Sequence, residues 1–296
     1  MSTVHIITDS GAQLDPGWAQ EHGITVVPYR LQIGNKTYRD GIDLSVEEAF
    51  YLMAGQTAPP VISPPTEADF LQAYHKAAQD DDAVISIHVS RTILSSWDHG
   101  RAAIQKLSSS RPVVSIDSRS MCAAQGMMVK YAVQLAEAEL APDHISFEEY
   151  VRRVRGAAER IYSLYFVEDV HYLTHHGYIP VSHGVIAALS HLKPLIALEN
   201  GEISVIEKLK SRSSALDHIA DYVMEFDDIE ELVILQPKAL VNDTSNALIE
   251  RIHEEQPHLT IRTSQYSPVL ASLIGTDAAG CALIVQESGD FHYEED

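Results

Sequence analysis

The densest group of polar side chains that could bind a ligand lies between residues 90 and 97. The segment is Ser90-Arg91-Thr92-Ile93-Leu94-Ser95-Ser96-Trp97 and carries four hydroxyls and one guanidinium. The pattern predicts a strand before it, at Ala83–His88, and a helix after it, at Asp98–Leu107. Hydroxyls, an arginine and the N–H groups of a helix N-terminus can together bind an anion such as a carboxylate. A polar loop that only caps the helix would have the same composition.

Two shorter motifs have the same order of strand, polar turn and helix. Thr8-Asp9-Ser10 follows the predicted strand Val4–Ile7, and Asp117-Ser118 follows the predicted strand Val113–Ile116. In α/β folds, ligands bind at the carboxyl ends of strands, where such turns lie. Asp9, Ser10, Asp117 and Ser118 are therefore candidate ligand contacts, although ordinary helix caps use the same residue types.

Most signatures of catalysis and cofactor binding are missing from the sequence. It has no glycine-rich phosphate loop, no Gly-x-Ser-x-Gly elbow and no His-Glu-x-x-His motif, so we predict no cofactor. His171 and His175 have a spacing that could place two metal ligands on one helix face. No third ligand can be identified and Gly177 indicates a helix end, so we predict no metal site.

Composition limits the classes of partner. The formal net charge is −21, which argues against nucleic acid or an anionic membrane as the main partner. No run of about 18 apolar residues predicts a membrane span, and the first residues do not resemble a signal peptide. The two cysteines fit a reducing compartment. We therefore expect a cytoplasmic protein.

Strand-like and helix-like segments alternate along the chain, which predicts parallel βαβ units. Ser45 and Ser146 each precede a glutamate by three residues, the spacing of a capping box at a helix start. A new strand is predicted at Ile161–Phe166 after a long helix. The length of 296 residues suits two domains, and we place them at 1–160 and 161–296, with a soft boundary that segments could cross.

The ordered set of segments resembles the DegV family of bacterial fatty-acid-binding proteins over nearly the whole chain. The matching segments are Thr8–Leu14, Tyr38-Arg39-Asp40-Gly41, Leu44–Tyr51, Ile62-Ser63-Pro64-Pro65-Thr66, Ile87–Trp97, Ile116-Asp117-Ser118, Tyr172–Ile179, Leu192–Ile196 and Ser267–Gly280. The resemblance implies two α/β domains with a long-chain fatty acid between them. It also implies a binding protein, not an enzyme, that presents the ligand's carboxyl group to a separate fatty acid kinase.

The chain departs from the family at the positions that usually hold the carboxylate. Ile62, Leu94 and Leu273 stand where the family has Thr, Ser and His, and Tyr178 replaces an arginine. An ionised carboxylate against isoleucine and leucine would lose several kcal/mol of solvation without hydrogen bonds to offset the loss. The resemblance is therefore stronger for the fold than for the ligand.

Three functions stay open at this point. In the first, a fatty acid binds and Ser63, Ser95, Ser96 and Arg91 hold its head group. In the second, the ligand is an uncharged lipid, as Ile62, Leu94 and Leu273 suggest. In the third, Ser95 or Ser96 is the nucleophile of a hydrolase and His88 or His99 is its base, although the sequence shows no group that would orient that base.

Overall fold

The computed structural model describes residues 4–77, 83–108, 112–139, 145–238 and 243–287. The strands are β1 Val4–Asp9, β2 Thr25–Val27, β3 Arg30–Ile33, β4 Lys36–Arg39, β5 Val61–Ser63, β6 Ala83–His88, β7 Val113–Asp117, β8 Ile161–Phe166, β9 Lys193–Glu199, β10 Glu202–Leu209, β11 Ile229–Gln236, β12 Ile261–Gln265 and β13 Ala279–Val285. The helices are α1 Pro16–Glu21, α2 Val46–Ala54, α3 Glu67–Ala77, α4 Ser96–Lys106, α5 Ala123–Glu139, α6 Phe147–Gly156, α7 Val170–His175, α8 Val181–Leu189, α9 Arg212–Met224, α10 Asp243–Glu255 and α11 Pro268–Ile274.

The first sheet confirms the predicted parallel βαβ units. Its four strands lie in the order β2-β1-β6-β7, and every neighbouring pair is parallel. The chain leaves β1 to form β2 on one side and later returns to form β6 on the other. The carboxyl ends of β1 and β6 therefore meet where the direction of the connections reverses, which is the usual ligand position in open α/β sheets.

A small antiparallel sheet, β4-β3-β5, lies beside the first one. Ile62 lies on β5 opposite Leu31 of β3. Helix α11, from the far end of the chain, contacts both β5 and α2. The fold thus brings the segment around Leu273 towards the segment around Ile62, which residue spacing alone could not establish.

The third sheet has six strands in the order β10-β9-β8-β13-β11-β12 and is antiparallel except for the pair β11 and β12. Its first strand in the chain is β8, which confirms the strand predicted at Ile161–Phe166. The largest apolar cluster contains buried side chains from both halves of the chain, including Ile6 and Ile284. The domain boundary near residue 160 therefore stays a prediction, because the two halves share one core.

Helix α5 lies between the two large sheets and contacts β1 on one side and β8 and β13 on the other. Most of its side chains are buried, including Met127, Met128 and Val129. A helix covered on several sides is apolar around much of its circumference. Gly126 packs closely against the turn after β1, because a Cβ there would lie 2.6 Å from the carbonyl oxygen of Ala12.

Local helix signals agree with the structure. Ser45 and Glu48 form the predicted capping box at the start of α2. Ser146 begins α6, and its hydroxyl accepts a hydrogen bond from the backbone N–H of Glu149. These starts could be predicted because a cap depends on residues only three positions apart.

We expect Gly126→Ala to lower the free energy of unfolding by about 1–3 kcal/mol, because the added methyl group forces α5 away from a backbone oxygen. The matched control is Gly156→Ala at the end of α6, where a Cβ meets nothing within 4 Å. Urea unfolding followed by circular dichroism measures both variants. Equal stability of the two variants would contradict the close packing of α5 on the turn.

Candidate functional site

The carboxylate of Asp9 is fully buried at the carboxyl end of β1 and accepts four hydrogen bonds. One oxygen, Oδ1, accepts from the backbone N–H of Gly11 and from Nε2 of Gln125, each at 3.1 Å. The other, Oδ2, accepts from the backbone N–H of Val89 at 3.1 Å and from the Ser96 hydroxyl at 2.5 Å. Asp9 thus joins β1, the end of β6, α4 and α5. The structure places this predicted ligand contact in the interior.

Ser96 and His88 lie beside Asp9, but their arrangement does not suit a serine nucleophile. Both side chains are fully buried, and Nδ1 of His88 lies 3.2 Å from the Ser96 hydroxyl oxygen. Because the Ser96 hydroxyl donates to Asp9, the His88 nitrogen facing it is the donor of their contact. His88 therefore cannot accept the Ser96 proton in this arrangement. His99, the other candidate base, has its Nδ1 2.7 Å from the carbonyl oxygen of Pro65.

Ser10 supports a second buried carboxyl group. Its hydroxyl accepts a hydrogen bond from the backbone N–H of Tyr29 at 3.0 Å. Burial raises the pKa of Asp40 to about 6, and a hydrogen bond with Ser10 and one with the backbone at Gly41 limit the rise. Ser10 is thus bound to groups of the protein itself.

Asp117 and Ser118 form a turn at the end of β7. The Asp117 carboxylate accepts from the backbone N–H groups of Arg91 and Arg119, at 3.3 and 3.0 Å. The Ser118 hydroxyl donates to the carbonyl oxygen of Ser120. Arg91 is exposed, and its guanidinium lies over the Trp97 ring and 3.7 Å from Asp117. These contacts assign the turn to local structure and leave the Arg91 side chain facing solvent.

Two hydroxyls of the segment 90–97 hold the tip of the hairpin between β9 and β10. The Ser90 and Thr92 hydroxyls both donate to the carbonyl oxygen of Gly201, at 2.7 and 2.5 Å. Gly201 has a φ of +89°, and a Cβ there would lie 2.7 Å from the Ser90 oxygen, so the turn favours glycine. With Ser96 bound to Asp9, three of the four hydroxyls in the predicted anion site have partners within the protein.

Ile62, Leu94 and Leu273 all pack into the central apolar cluster. Leu273 is buried, while Ile62 and Leu94 are partly buried. Ser63 is exposed at the end of β5, and Ser95 is half-buried with no capping hydrogen bond from its side chain. Their assignment to a ligand's head group stays a prediction.

A cavity of about 720 Å³ lies between the two halves of the chain, where α1 and α5 face β11 and β12. Its lining is mostly polar and includes Gln13, Lys130, Glu231 and Arg262. Glu231 forms ion pairs with both Lys130 and Arg262. Burial and the nearby Arg262 lower the pKa of Lys130 to about 8. These charged side chains suit a hydrocarbon chain less well than an apolar lining would.

An apolar cavity of about 460 Å³ lies within the second half of the chain, between α8 and the strands β9 and β10. Its volume is within the range of small-molecule sites. The lining is apolar except for Tyr178, His183 and Lys208; the other lining residues are Val170, Ile179, Pro180, Ile186, Ala187, Leu192, Pro194 and Val205. This is the cavity that suits a hydrocarbon chain. Its position differs from the resemblance, which implies a ligand between the domains.

The polar lining residues His183 and Lys208 belong to no motif that was recognised in the sequence. They line the same cavity because it lies between α8 and the strands β9 and β10, and no local motif predicts that arrangement. Tyr178 was noted as a departure from the family, and burial raises the pKa of its hydroxyl to about 12. Of the three polar lining residues, Tyr178 is the one that the sequence marked as unusual.

His171 and His175, whose spacing was noted in the sequence, both lie on α7. The rings of His171 and His175 are 6.2 Å apart. Among the described residues, no group of three or more His, Cys, Asp or Glu side chains is placed to hold a metal ion. In the same part of the chain, no helix is both long and apolar enough to cross a membrane.

Sequence comparison identifies relatives along nearly the whole chain. The family model described as "Uncharacterised protein, DegV family" matches residues 3–286. A DegV domain-containing protein of Listeria innocua is 28% identical over 286 residues, covering 94% of this chain and 96% of the relative. Protein DegV of Bacillus subtilis is 25% identical over 279 residues, covering 94% and 97%.

Solved structures share the fold. The fatty acid binding DegV family protein of Streptococcus agalactiae has a TM-score of 0.85 at 20% identity, covering 97% of this chain and 100% of that one. DegV of Bacillus subtilis, described as a fatty acid binding protein, has a TM-score of 0.83 at 22% identity, with the same coverage. The Streptococcus pneumoniae fatty acid kinase B3 protein, loaded with linoleic acid, has a TM-score of 0.78 at 18% identity, covering 96% and 100%. With the family model matching residues 3–286, this chain belongs to the DegV family.

Proposed function

We propose that this protein binds a lipid with a long apolar chain and carries it without transforming it. The observation that carries the proposal is the cavity of about 460 Å³, whose lining is apolar except for three side chains. Hydrocarbon against such a lining loses part of its contact with water, and each CH₂ group that becomes buried contributes about 0.8 kcal/mol to binding. The fatty acid binding described for relatives of the same fold supports this ligand class.

In this proposal, the protein presents the head group of its lipid to a kinase. A relative of the same fold is described as a fatty acid kinase B3 protein loaded with linoleic acid. By analogy, the present protein holds the chain while a cytoplasmic fatty acid kinase acts on the head group. Direct binding between the purified protein and a fatty acid kinase from the same organism tests this step.

The proposal excludes hydrolysis by Ser96. A nucleophile must reach its substrate, and Ser96 is fully buried with its proton directed to Asp9. Its hydroxyl instead donates a hydrogen bond that stabilises the buried carboxylate of Asp9.

A carrier of an uncharged lipid is the second candidate function. Ile62, Leu94 and Leu273, which occupy the family's usual carboxylate positions, all pack in the apolar cluster. An ester or an alcohol would lose less solvation against these side chains than a carboxylate would.

We expect the purified protein to carry lipid from the expression host, because an apolar cavity gains free energy when hydrocarbon fills it. Native mass spectrometry should show added masses that disappear after solvent extraction. Mass spectrometry of the extract then distinguishes fatty acids from esters and alcohols. The delipidated protein serves as the control and should bind added lipid again. A protein that carries no lipid and rebinds none would refute the proposed function.

We expect Ser96→Ala to lower the free energy of unfolding by about 1–3 kcal/mol, because one buried oxygen of Asp9 loses a donor. The matched control is Ser95→Ala, which removes a half-buried hydroxyl without a capping bond and should change stability by less than about 0.5 kcal/mol. Urea unfolding measures both variants, and hydrolysis of a p-nitrophenyl ester is measured in parallel. Ester hydrolysis by the natural protein that Ser96→Ala abolishes without unfolding would favour the hydrolase instead.

A further inference from the structure

The apolar cavity has a polar rim formed by Tyr178, His183 and Lys208. Within the described part of the chain, the Lys208 ammonium has no carboxylate within 4.0 Å, in contrast to Lys130 and Lys193, which both form ion pairs. The described residues also offer no hydrogen-bond partner to the Tyr178 hydroxyl or to the His183 ring. Three groups able to donate hydrogen bonds thus border one apolar cavity.

The chemistry of this rim suits an anion more than an uncharged head group. Lys208 supplies a positive charge with three N–H donors, and a tyrosine hydroxyl is also a donor. The nearest acidic side chain along β10, Glu207, lies 3.1 Å from Nδ1 of His218. A carboxylate would therefore meet a lysine that no described acidic side chain neutralises, and charged hydrogen bonds are stronger than neutral ones.

The wall of the cavity is shared with the central apolar cluster. Tyr178 and Ile179 line the cavity, and both also pack against the cluster that includes Leu273, Ile62 and Leu94. Nε2 of His176 lies 2.8 Å from the carbonyl oxygen of Ser272, so the segment that carries Tyr178 lies beside the one that carries Leu273, one of the three aliphatic replacements. For the methyl end of a lipid these side chains are favourable neighbours, whereas for a carboxylate they are unfavourable.

We propose that the ligand is a long-chain carboxylate bound in the opposite direction to the one that the DegV resemblance implies. Its carboxylate lies at the rim, held by Lys208 with the help of Tyr178 and His183, and its methyl end points towards Leu273, Ile62 and Leu94. The inference rests on the proposed function, because it needs a lipid in the apolar cavity. It explains both the loss of polar side chains inside and the unpaired lysine at the rim.

The experiment measures binding of laurate and dodecanol to the delipidated full-length protein by isothermal titration calorimetry. Lys208→Met keeps the length and much of the apolar stem but removes the charge. The matched control is Lys210→Met, which removes another exposed charge two residues away and outside the cavity lining. We expect Lys208→Met to weaken laurate binding about tenfold and to leave dodecanol binding unchanged, because only laurate is charged. Lys210→Met should change neither.

Tyr178→Phe provides a second variant that removes only one oxygen atom. It should weaken laurate binding about threefold to fivefold, the loss of one partly exposed hydrogen bond. Added salt should weaken laurate binding to the natural protein but not to Lys208→Met, because ions screen an exposed charge pair. Circular dichroism confirms that each variant keeps its fold.

The outcomes separate the inference from the proposed function. If the natural protein binds laurate and the two lysine variants have equal affinities for it, the reversed direction is wrong and the lipid-binding function stands. The same conclusion follows if Ile62→Thr with Leu94→Ser binds laurate more tightly than the isosteric control Ile62→Val with Leu94→Ala, because the carboxylate then lies inside. If the natural protein binds neither laurate nor dodecanol, both proposals fail.

Discussion

The buried carboxylate of Asp9 is the interaction on which the arrangement of the first half depends. A carboxylate without water is costly unless hydrogen bonds satisfy it, and here four donors do so from the turn after β1, the end of β6, α4 and α5. These donors are far apart in sequence, so the bonds fix several elements relative to one another at the crossover of the parallel sheet. The usual ligand position of such a sheet is thereby occupied by the protein's own polar groups.

Because Ser96 donates its hydrogen bond to Asp9, fewer hydroxyls of the segment 90–97 are available to bind a ligand. Four hydroxyls there suggested an anion site, yet Ser96 serves Asp9, and Ser90 and Thr92 serve the carbonyl oxygen of Gly201. A hydroxyl has one proton to donate, so these three have no proton left for a ligand. The segment is therefore a connection between the first half of the chain and the β9–β10 hairpin, with Ser95 as the remaining hydroxyl.

Local and periodic features were predictable from the sequence, and long-range packing was not. The caps at Ser45 and Ser146 depend on residues close in the chain, and the parallel strands follow from the alternation of strand and helix segments; the structure confirms both. The family motifs added the overall fold, which the family model and the solved structures confirm. The mutual contacts of Asp9, His88 and Ser96 depend on how distant elements pack, and so does the position of Lys208 and Tyr178 on one cavity. The spacing of residues within one segment does not predict such contacts between distant segments.

The aliphatic replacements at Ile62, Leu94 and Leu273 limit where the charged head group of a ligand can bind. Because these side chains pack together with residues from both halves, a buried charge among them would face a medium in which ions are poorly solvated. A polar head group must then remain where water or protein donors can reach it. The apolar cavity satisfies this requirement at its rim, and its wall reaches the cluster through Tyr178 and Ile179. In the proposed direction, the charged head group lies at the rim and the hydrocarbon chain lies against the apolar lining.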